Sequence, residues 1–178
     1  MKIAITTSSF ARYSDEPLKL LEQVGFGKIG QAVAHLLEPF GVNVGYHDPF
    51  ADVPGYTRLE LDDLMGWADV ITLHCPKTEN GAPLLDLGRL SLMRPGSIIL
   101  NIARGGLIDE KALLGLLTAG HLAGAALDCF TKEPYDGPLK EMDNVILTPH
   151  IGSYAKEARI IMETDTIKNL LDVLFPGA

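Results

Sequence analysis

The sequence predicts an α/β protein with a doubly wound parallel sheet. Apolar runs rich in Val and Ile or in Ala alternate with segments of helical spacing, and turn residues separate them. Runs such as IILNI, at 98–102, suit strands that are covered on both faces. Strands that alternate with helices predict a parallel sheet with helices on both of its faces.

Six apolar runs are predicted to be strands: Ile3–Thr6, Val42–His47, Val70–His74, Ser97–Ile102, Ala123–Asp128 and Val145–Thr148. Helical spacing predicts three helices between them: Lys28–Phe40, Arg58–Met65 and Asp109–Ala119. A long amphipathic helix is predicted over Ala155–Leu174, with Ser153 as a candidate N-cap. Its apolar residues lie on or near one face: Ala158, Ile161, Met162, Leu170, Leu171 and Leu174. That face needs a surface to pack against.

Composition and charge limit the classes of function. The 178 residues are 47% hydrophobic, enough for one ordinary domain with a sizeable core and a small appendage. A net charge of −8 without a basic run argues against nucleic acid or an anionic membrane as the partner. The two cysteines, Cys75 and Cys129, indicate reduced thiols. The first residues lack a signal-peptide core and no apolar run approaches a membrane span, so a cytoplasmic protein is expected.

The segment GFGKIG, at 25–30, fits the GxGxxG pattern of a dinucleotide-binding loop. Its glycines allow a tight turn, close approach to a pyrophosphate and close packing of the next helix, whose first N–H groups favour phosphate. Such a turn before a helix is common, so the motif alone is weak. Asp48, at the end of the next strand and 18 residues after Gly30, strengthens it. A carboxylate there can bind the adenosine ribose hydroxyls and repel a 2′-phosphate, which predicts NAD rather than NADP.

Three charged or titratable residues follow later strands: Arg104, Glu133 and His150. Ligands of open α/β sheets bind at the carboxyl ends of the strands. Each residue alone also has an ordinary interpretation: a surface arginine, a solvated carboxylate, or a buried histidine bonded to a carbonyl. Together they suit hydride transfer, in which a histidine moves the hydroxyl proton and a carboxylate orients its ring. A guanidinium would hold the substrate carboxylate and polarise the carbonyl.

Five segments between Val24 and Ser153 resemble the D-isomer-specific 2-hydroxyacid dehydrogenases. They are VGFGKIGQAVAHLLEPFG, LHCPKT, MRPGSIILNIARGGLIDEKAL, GHLAGAALDCFTKEP and NVILTPHIGS. The resemblance implies that Arg104 holds the substrate, His150 is the acid/base and Glu133 is its partner, with no metal ion. It implies a Rossmann NAD-binding domain and the NAD-binding residues Gly25, Gly27, Lys28, Ile29, Gly30, Asp48, Pro49, His74, Cys75, Pro76, Ile102, Ala103, Arg104, Asp128, His150 and Gly152.

Within that set, the resemblance implies separate contacts. Lys28 and Ile29 would meet the pyrophosphate, and Asp48 the adenosine ribose. The segment His74–Pro76 would line the adenine side. The nicotinamide carboxamide would be held by Ile102, Ala103 and Asp128.

The family pattern also predicts the domain organisation. Residues 1–23 resemble the beginning of a flavodoxin-like substrate domain, 24–153 the NAD-binding domain, and 154–178 a helix that returns to the substrate domain. Most of the substrate domain and the strand before the glycine loop have no counterpart between Gln23 and Val24. Either Leu20–Val24 is recruited as that strand, or Ile3–Thr6 inserts there with Ser8–Gln23 bridging back. A third alternative is that the sequence omits residues of the whole protein.

The expected function is an NAD-dependent oxidoreductase for a small D-2-hydroxy acid or 2-keto acid, of phosphoglycerate or glycerate/glyoxylate type. The alternative is a non-catalytic NAD-binding or interaction module derived from the same family. Intact Arg104, Glu133 and His150 favour the enzyme, whereas the missing substrate domain favours the module. A small acid substrate and self-association into a homo-oligomer are the expected partners.

Overall fold

The computed structural model describes residues 1–6 and 26–175, and within them one sheet of seven parallel strands. The strands are β1 (Lys2–Thr6), β2 (Asn43–His47), β3 (Thr57–Arg58), β4 (Val70–Leu73), β5 (Ile98–Asn101), β6 (Gly124–Leu127) and β7 (Val145–Leu147). The helices are α1 (Lys28–Leu37), α2 (Leu61–Trp67), α3 (Leu87–Leu92), α4 (Glu110–Thr118) and α5 (Lys156–Leu174), with 3₁₀ turns at Glu38–Phe40 and Pro138–Glu141. The strand order is β3-β2-β1-β4-β5-β6-β7, which confirms the doubly wound parallel sheet.

Strand β1 occupies the centre of the sheet. It pairs with β2 over its whole length and with β4 from Ile3 to Thr6. Of the alternatives left open by the sequence, the structure shows the insertion of Ile3–Thr6 into the centre of the sheet. Pairing on both sides satisfies the backbone groups of this apolar strand. These residues form part of the sheet, and the unit at 1–23 stays a prediction. The rival strand Leu20–Val24 and the bridging segment Ser8–Gln23 lie outside the described residues, and the other domain boundaries stay predictions.

Two elements, β3 and α3, were not predicted. Strand β3 has two exposed residues and is too short to show a period. The helix predicted from Arg58 therefore begins later, at Leu61. Helix α3 is also short, and Asp86 caps it by accepting a hydrogen bond from the N–H of Arg89 at 2.9 Å.

The core lies in two parts. The larger part packs α2, α3 and α4 against the sheet and includes the fully buried residues Leu64, Met65, Ile71, Leu73, Leu85, Leu90, Ile99, Leu107 and Leu113. The smaller part lies under α1 and consists of Phe26, Ala34, Val44 and Tyr46. The rings of Phe26 and Tyr46 stack with their centroids 4.3 Å apart. The glycine loop is therefore anchored to β2 by an aromatic contact.

Trp67, the only tryptophan of the chain, packs against Lys2 in β1 and Gly45 in β2. The Nζ of Lys2 lies 5.4 Å from its ring centroid. A Cβ added at Gly45 would lie 3.0 Å from the same ring, so β2 passes close beneath it. The backbone N–H of Lys2 also donates to the Oδ2 of Asp69 at 2.8 Å. These contacts hold the start of β1 in place.

Helix α5 lies outside both parts of the core. All of its residues are exposed except half-buried Ala158. The N-cap position is occupied by Ala155, without a side-chain hydrogen bond, and not by the predicted Ser153. None of the helices in the described part of the chain combines the length and apolarity needed to span a bilayer. The predicted long helix is therefore present, and the described residues supply almost none of the surface that it needs.

The turn after β5 packs tightly against the segment after β6, and this contact generates a stability prediction. A Cβ added at Gly105 would lie 1.6 Å from the backbone oxygen of Phe130. Because backbone must shift, Gly105→Ala should lower the free energy of unfolding by about 3 kcal/mol or more. The control is Gly115→Ala in α4, where nothing lies within 4 Å and stability should rise by about 0.5–1 kcal/mol. Urea denaturation measures both, and equal effects would contradict the contact.

Candidate active site

An open cleft of ≈ 1000 Å³ lies beyond the carboxyl ends of the central strands. Ten of the predicted site residues line it: Ile29, His74, Cys75, Pro76, Ile102, Ala103, Arg104, Asp128, His150 and Gly152. Four lining residues were not predicted: Thr148, Ile151, Ser153 and Met162. The parallel sheet thus brings most of the predicted residues to one edge, as ligand sites of open α/β sheets require.

Arg104 is presented by a turn that buried Asn101 holds. The Nδ2 of Asn101 donates to the backbone oxygen of Arg104 at 2.9 Å, and its Oδ1 accepts from the N–H of Ala103 at 3.2 Å. The guanidinium of Arg104 is exposed, and its Nη1 donates to the oxygen of Ala103 at 2.7 Å. The backbone at this position is therefore fixed while the charged group borders the cleft.

His150 and Glu133 form a hydrogen-bonded pair at the cleft. The Nδ1 of His150 lies 2.9 Å from the Oε2 of Glu133, and the Oε1 accepts from the N–H of Phe130 at 3.0 Å. The bond from His150, and then that from Phe130, lowers the pKa of Glu133. Because a charged carboxylate only accepts hydrogen bonds, Nδ1 carries the proton. The Nε2 of His150 is then the atom that can exchange a proton with a ligand.

The backbone of His150 has a φ of 56°, a left-handed conformation that is uncommon for residues other than glycine. Asp128 holds the segment around it. Its Oδ1 accepts from the Oγ1 of Thr148 at 2.6 Å and from the N–H of Ile151 at 2.9 Å, and its Oδ2 accepts from the N–H of Gly152 at 2.9 Å. Asp128 therefore constrains the chain on both sides of the histidine.

The same contacts set the charge of Asp128. Burial raises the pKa of this carboxyl, but the hydrogen bonds from Thr148, Ile151 and Gly152 outweigh it and bring the pKa below its ordinary value. Both oxygens are thus committed to the protein. The contact of Asp128 with a nicotinamide carboxamide stays a prediction.

The carboxylate of Asp48 is turned into the protein and is not among the groups that line the cleft. The side chain is fully buried, and its Oδ2 accepts from the N–H of Phe26 in the glycine loop. Its Oδ1 accepts from the N–H of Phe50 at 2.8 Å and of Ala51 at 3.1 Å. These amides are unpaired by the sheet and lie within reach, so they take the carboxylate. A ribose contact stays a prediction, and because the side chain is fully buried it requires the carboxylate to become exposed.

The glycine loop leads into α1, whose start no described side chain caps. Gly27 is the N-cap, Lys28 is exposed and Gly30 is buried against the sheet. Ile29 lines the cleft. Gly25 lies outside the described residues, and Gly27, Lys28, Gly30, Asp48 and Pro49 are not among those that line the cleft. Uncapped N–H groups at a helix start are the donors that a phosphate group requires.

Two further titratable groups have shifted pKa values: His74 in the cleft and Cys129 beside the His150–Glu133 pair. Burial lowers the pKa of His74, whose Nε2 lies 3.1 Å from the Oγ1 of Thr72. Burial first, and then the charges of Asp128 and Glu133, raise the pKa of Cys129 to about 11. Its Sγ donates to the oxygen of Ala103 at 3.6 Å. Cys129 is therefore a protonated thiol behind the His150–Glu133 pair.

Residues 19–152 match the NAD-binding domain of the D-isomer specific 2-hydroxyacid dehydrogenases. The chain belongs to this family. A D-3-phosphoglycerate dehydrogenase from Synechocystis sp. is 43% identical over 162 residues, 88% of this chain and 29% of that protein. The crystal structure of a glyoxylate reductase from Paecilomyes thermophila matches with a TM-score of 0.84 at 30% identity, covering 99% of this chain and 50% of that one.

A third similar structure contains a bound nicotinamide cofactor. The structure of an NADPH-dependent glyoxylate/hydroxypyruvate reductase from Sinorhizobium meliloti, in complex with NADP and malonate, matches with a TM-score of 0.83 at 28% identity. It covers 99% of this chain and 50% of that one. The chain thus spans half or less of the length of these relatives, and it corresponds to their nucleotide-binding part.

The unpredicted residues of this NAD-binding domain act mainly by holding other groups in place. Thr148 and Ile151 hold Asp128, and Asn101 holds the turn of Arg104. The one local sign of either residue in the sequence is that a polar side chain stands in an apolar run: Asn101 in IILNI and Thr148 at the end of VILT. Met162 reaches the cleft from α5, and no local pattern indicates that contact.

The network of Asp128 predicts a pH-dependent contribution to stability. Asp128→Asn replaces one acceptor oxygen with a donor, so the free energy of unfolding should fall by about 1–3 kcal/mol at pH 7. Because the folded pKa lies below the unfolded value of about 3.9, this stabilisation is present above that value and is lost as the pH falls through the folded pKa. Urea denaturation should therefore show Asp128→Asn to be less stable than the unmutated chain at pH 7, and the difference in unfolding free energy should disappear in acid.

The matched control is Asp143→Asn, which alters an exposed carboxylate just before β7. This variant should unfold like the unmutated chain at both pH values. An Asp128→Asn variant that matches the control at pH 7, or a deficit that persists in acid, would refute the role of the Asp128 network.

Proposed function

We propose that this chain binds NAD in the cleft and carries the acid–base and anion-binding residues of a dehydrogenase for small D-2-hydroxy acids. The observation that carries the proposal is the 2.9 Å contact between His150 and Glu133 at the cleft that Arg104 also lines. Family membership supports it. A cytoplasmic location, and a small acid rather than a nucleic acid or membrane as partner, agree with the acidic composition.

The cleft suits a nicotinamide dinucleotide. Apolar residues such as Ile29 and Ile102 form its walls, and the uncapped start of α1 offers N–H groups for a pyrophosphate. When bound, the cofactor would supply or accept a hydride.

In the reduction of a 2-keto acid, the protein would hold the substrate and move one proton. The guanidinium of Arg104 would bind the substrate carboxylate and polarise the neighbouring carbonyl. The protonated Nε2 of His150 would donate its proton to the carbonyl oxygen as the carbon is reduced. Glu133 would keep Nδ1 protonated and stabilise the positive charge of the ring before transfer. Oxidation of the hydroxy acid uses the same groups in reverse.

The candidate substrates are small. The relatives include a D-3-phosphoglycerate dehydrogenase and a glyoxylate reductase, so phosphorylated and unphosphorylated acids both belong in the test. Steady-state assays with NADH and a panel of 2-keto acids distinguish the two classes. Binding of NADH without turnover of any member would favour the alternative function, a non-catalytic NAD-binding module.

Cofactor preference gives the first functional prediction. The unmutated chain should bind NADH more tightly than NADPH, because Asp48 would repel a 2′-phosphate once its carboxylate turns outward. Asp48→Asn keeps an acceptor for the loop amides and removes the charge, so it should narrow the difference. Asp52→Asn, which changes an exposed carboxylate in the same turn, should leave it unchanged. Fluorescence titration measures the dissociation constants, and equal affinities in the unmutated chain would exclude the preference.

The His150–Glu133 pair gives the second functional prediction. His150→Ala should lower kcat by about 10²–10⁴-fold with little effect on NADH binding, because it removes the acid–base group. Glu133→Gln should change the pH–rate profile, since a neutral amide no longer fixes the Nδ1 proton of His150 as the Glu133 carboxylate does. The control is His35→Ala, which removes an exposed histidine in α1. An unchanged profile in Glu133→Gln would remove Glu133 from this role.

We further propose that α5 pairs with a second copy of itself. Its exposed residues Ile160, Ile167, Leu171 and Leu174 recur at intervals of seven, four and three and form one stripe. Lys156, Glu157 and Arg159 give its start a small net positive charge, and Asp172 is the one charged residue of its last turn. An antiparallel pair of α5 helices would therefore bring the basic start of each copy beside the acidic end of the other, while both stripes leave water.

Sedimentation at several protein concentrations tests this association. The unmutated chain should shift from monomer to dimer as concentration rises. Ile167→Lys, which places a charge in the stripe, should keep it monomeric, and Asn169→Lys on the opposite face of α5 should not. A chain that is monomeric throughout, or a dimer that Ile167→Lys leaves intact, would contradict pairing through α5.

A further inference from the structure

Cys129, Glu133 and His150 form a cluster of three different donor types. One donor atom from each residue, namely Sγ, a carboxylate oxygen and a ring nitrogen, lies within 4.8 Å of the other two. Among the described residues, no other group of three His, Cys, Asp or Glu side chains meets this condition. From this geometry we propose that the cluster is a binding site for one thiophilic divalent metal ion, of the Zn²⁺ or Cd²⁺ type, which inhibits the protein when it binds.

The distances suit such an ion. Bonds of about 2.3 Å to sulfur and about 2.0–2.2 Å to nitrogen and oxygen put tetrahedral donors roughly 3.3–3.8 Å apart. The most widely spaced donors of the cluster therefore need to close by at most about 1–1.5 Å, and the 2.9 Å contact between the Nδ1 of His150 and the Oε2 of Glu133 needs to open slightly. The side chains of His150 and Glu133 are 45% and 37% exposed, so they can rotate toward the metal, whereas Cys129 is held in a buried turn. Three protein donors leave a fourth position for water or a substrate oxygen.

The donor set also selects the metal. Binding replaces the proton of the Cys129 thiol and the weak 3.6 Å hydrogen bond that this thiol donates to Ala103. Only an ion that binds thiolate strongly can compensate for the lost proton and the lost hydrogen bond. This requirement favours Zn²⁺ and Cd²⁺ and excludes Mg²⁺ and Ca²⁺. In the metal-bound state, the metal–sulfur bond replaces the sulfur–hydrogen bond, and the released proton goes to solvent.

The metal would bind on the Nδ1 side of the imidazole of His150, where Glu133 now accepts a hydrogen bond. The Nδ1 of His150 would bind the ion through its lone pair, so the hydrogen bond from Nδ1 to Glu133 would be lost. A divalent charge beside the ring would also oppose protonation of Nε2. Inhibition of turnover rests on the proposed dehydrogenase function, whereas metal binding itself rests on the three donors alone.

Titration of the full chain with Cd²⁺ tests the site, with the thiolate-to-metal charge-transfer absorption as the readout. The unmutated chain should bind one ion and develop the band. Cys129→Val should abolish the band, and the control Cys75→Val should keep it, because these are the only two cysteines in the chain. Glu133→Gln and His150→Gln should each weaken Cd²⁺ binding by at least about tenfold. Circular dichroism verifies that each variant is folded.

The outcomes separate the metal site from the proposed function. A band that persists in Cys129→Val, or no band in the unmutated chain, overturns the site. If Cys129→Val does not fold, unchanged Cd²⁺ affinity in both Glu133→Gln and His150→Gln overturns it as well. Cd²⁺ binding with the expected variant pattern, together with turnover that a chelator restores, supports both proposals. The same binding pattern without loss of turnover supports the metal site and overturns its inhibitory effect.

Discussion

The structure depends on the pairing of β1, because this strand alone joins β2 and β3 to the other four strands. Its hydrogen bonds run to β2 on one side and to β4 on the other. Without it the sheet would divide where the strand order reverses, which is also where the cleft opens. The helix that follows the glycine loop and the residues that carry the proposed chemistry lie on opposite sides of that division. The geometry of the cleft is therefore a consequence of five residues at the start of the chain.

Two buried carboxylates, Asp48 and Asp128, perform the same task on either side of the cleft. Each accepts three hydrogen bonds and so ties down backbone that no strand partner satisfies. A charged acceptor makes such bonds stronger than a neutral one would. The loops that lead to the cleft are thus held by these two carboxylates. Most of the loop residues take part only through their backbone N–H groups.

The sequence predicted the fold well because its signals were local. Runs such as IILNI and the helical spacing of α1 and α4 indicated the parallel sheet, and the order of Arg104, Glu133 and His150 indicated a common edge. The orientation of Asp48 could not be predicted, because it depends on amides from the glycine loop and from the turn after β2. The choice between Ile3–Thr6 and Leu20–Val24 as the central strand was equally beyond reach, since pairing across the sheet decides it.

The position of Trp67 gives the chain a built-in optical reporter. The side chain is the only tryptophan, it lies beside Lys2 at the start of β1, and β2 passes directly beneath it. Its emission therefore arises at the junction on which the sheet depends, and no second indole obscures it. Departure of β1 would remove the cation from the ring face and admit water to the indole. Insertion of the central strand can thus be followed in real time during folding without any added label.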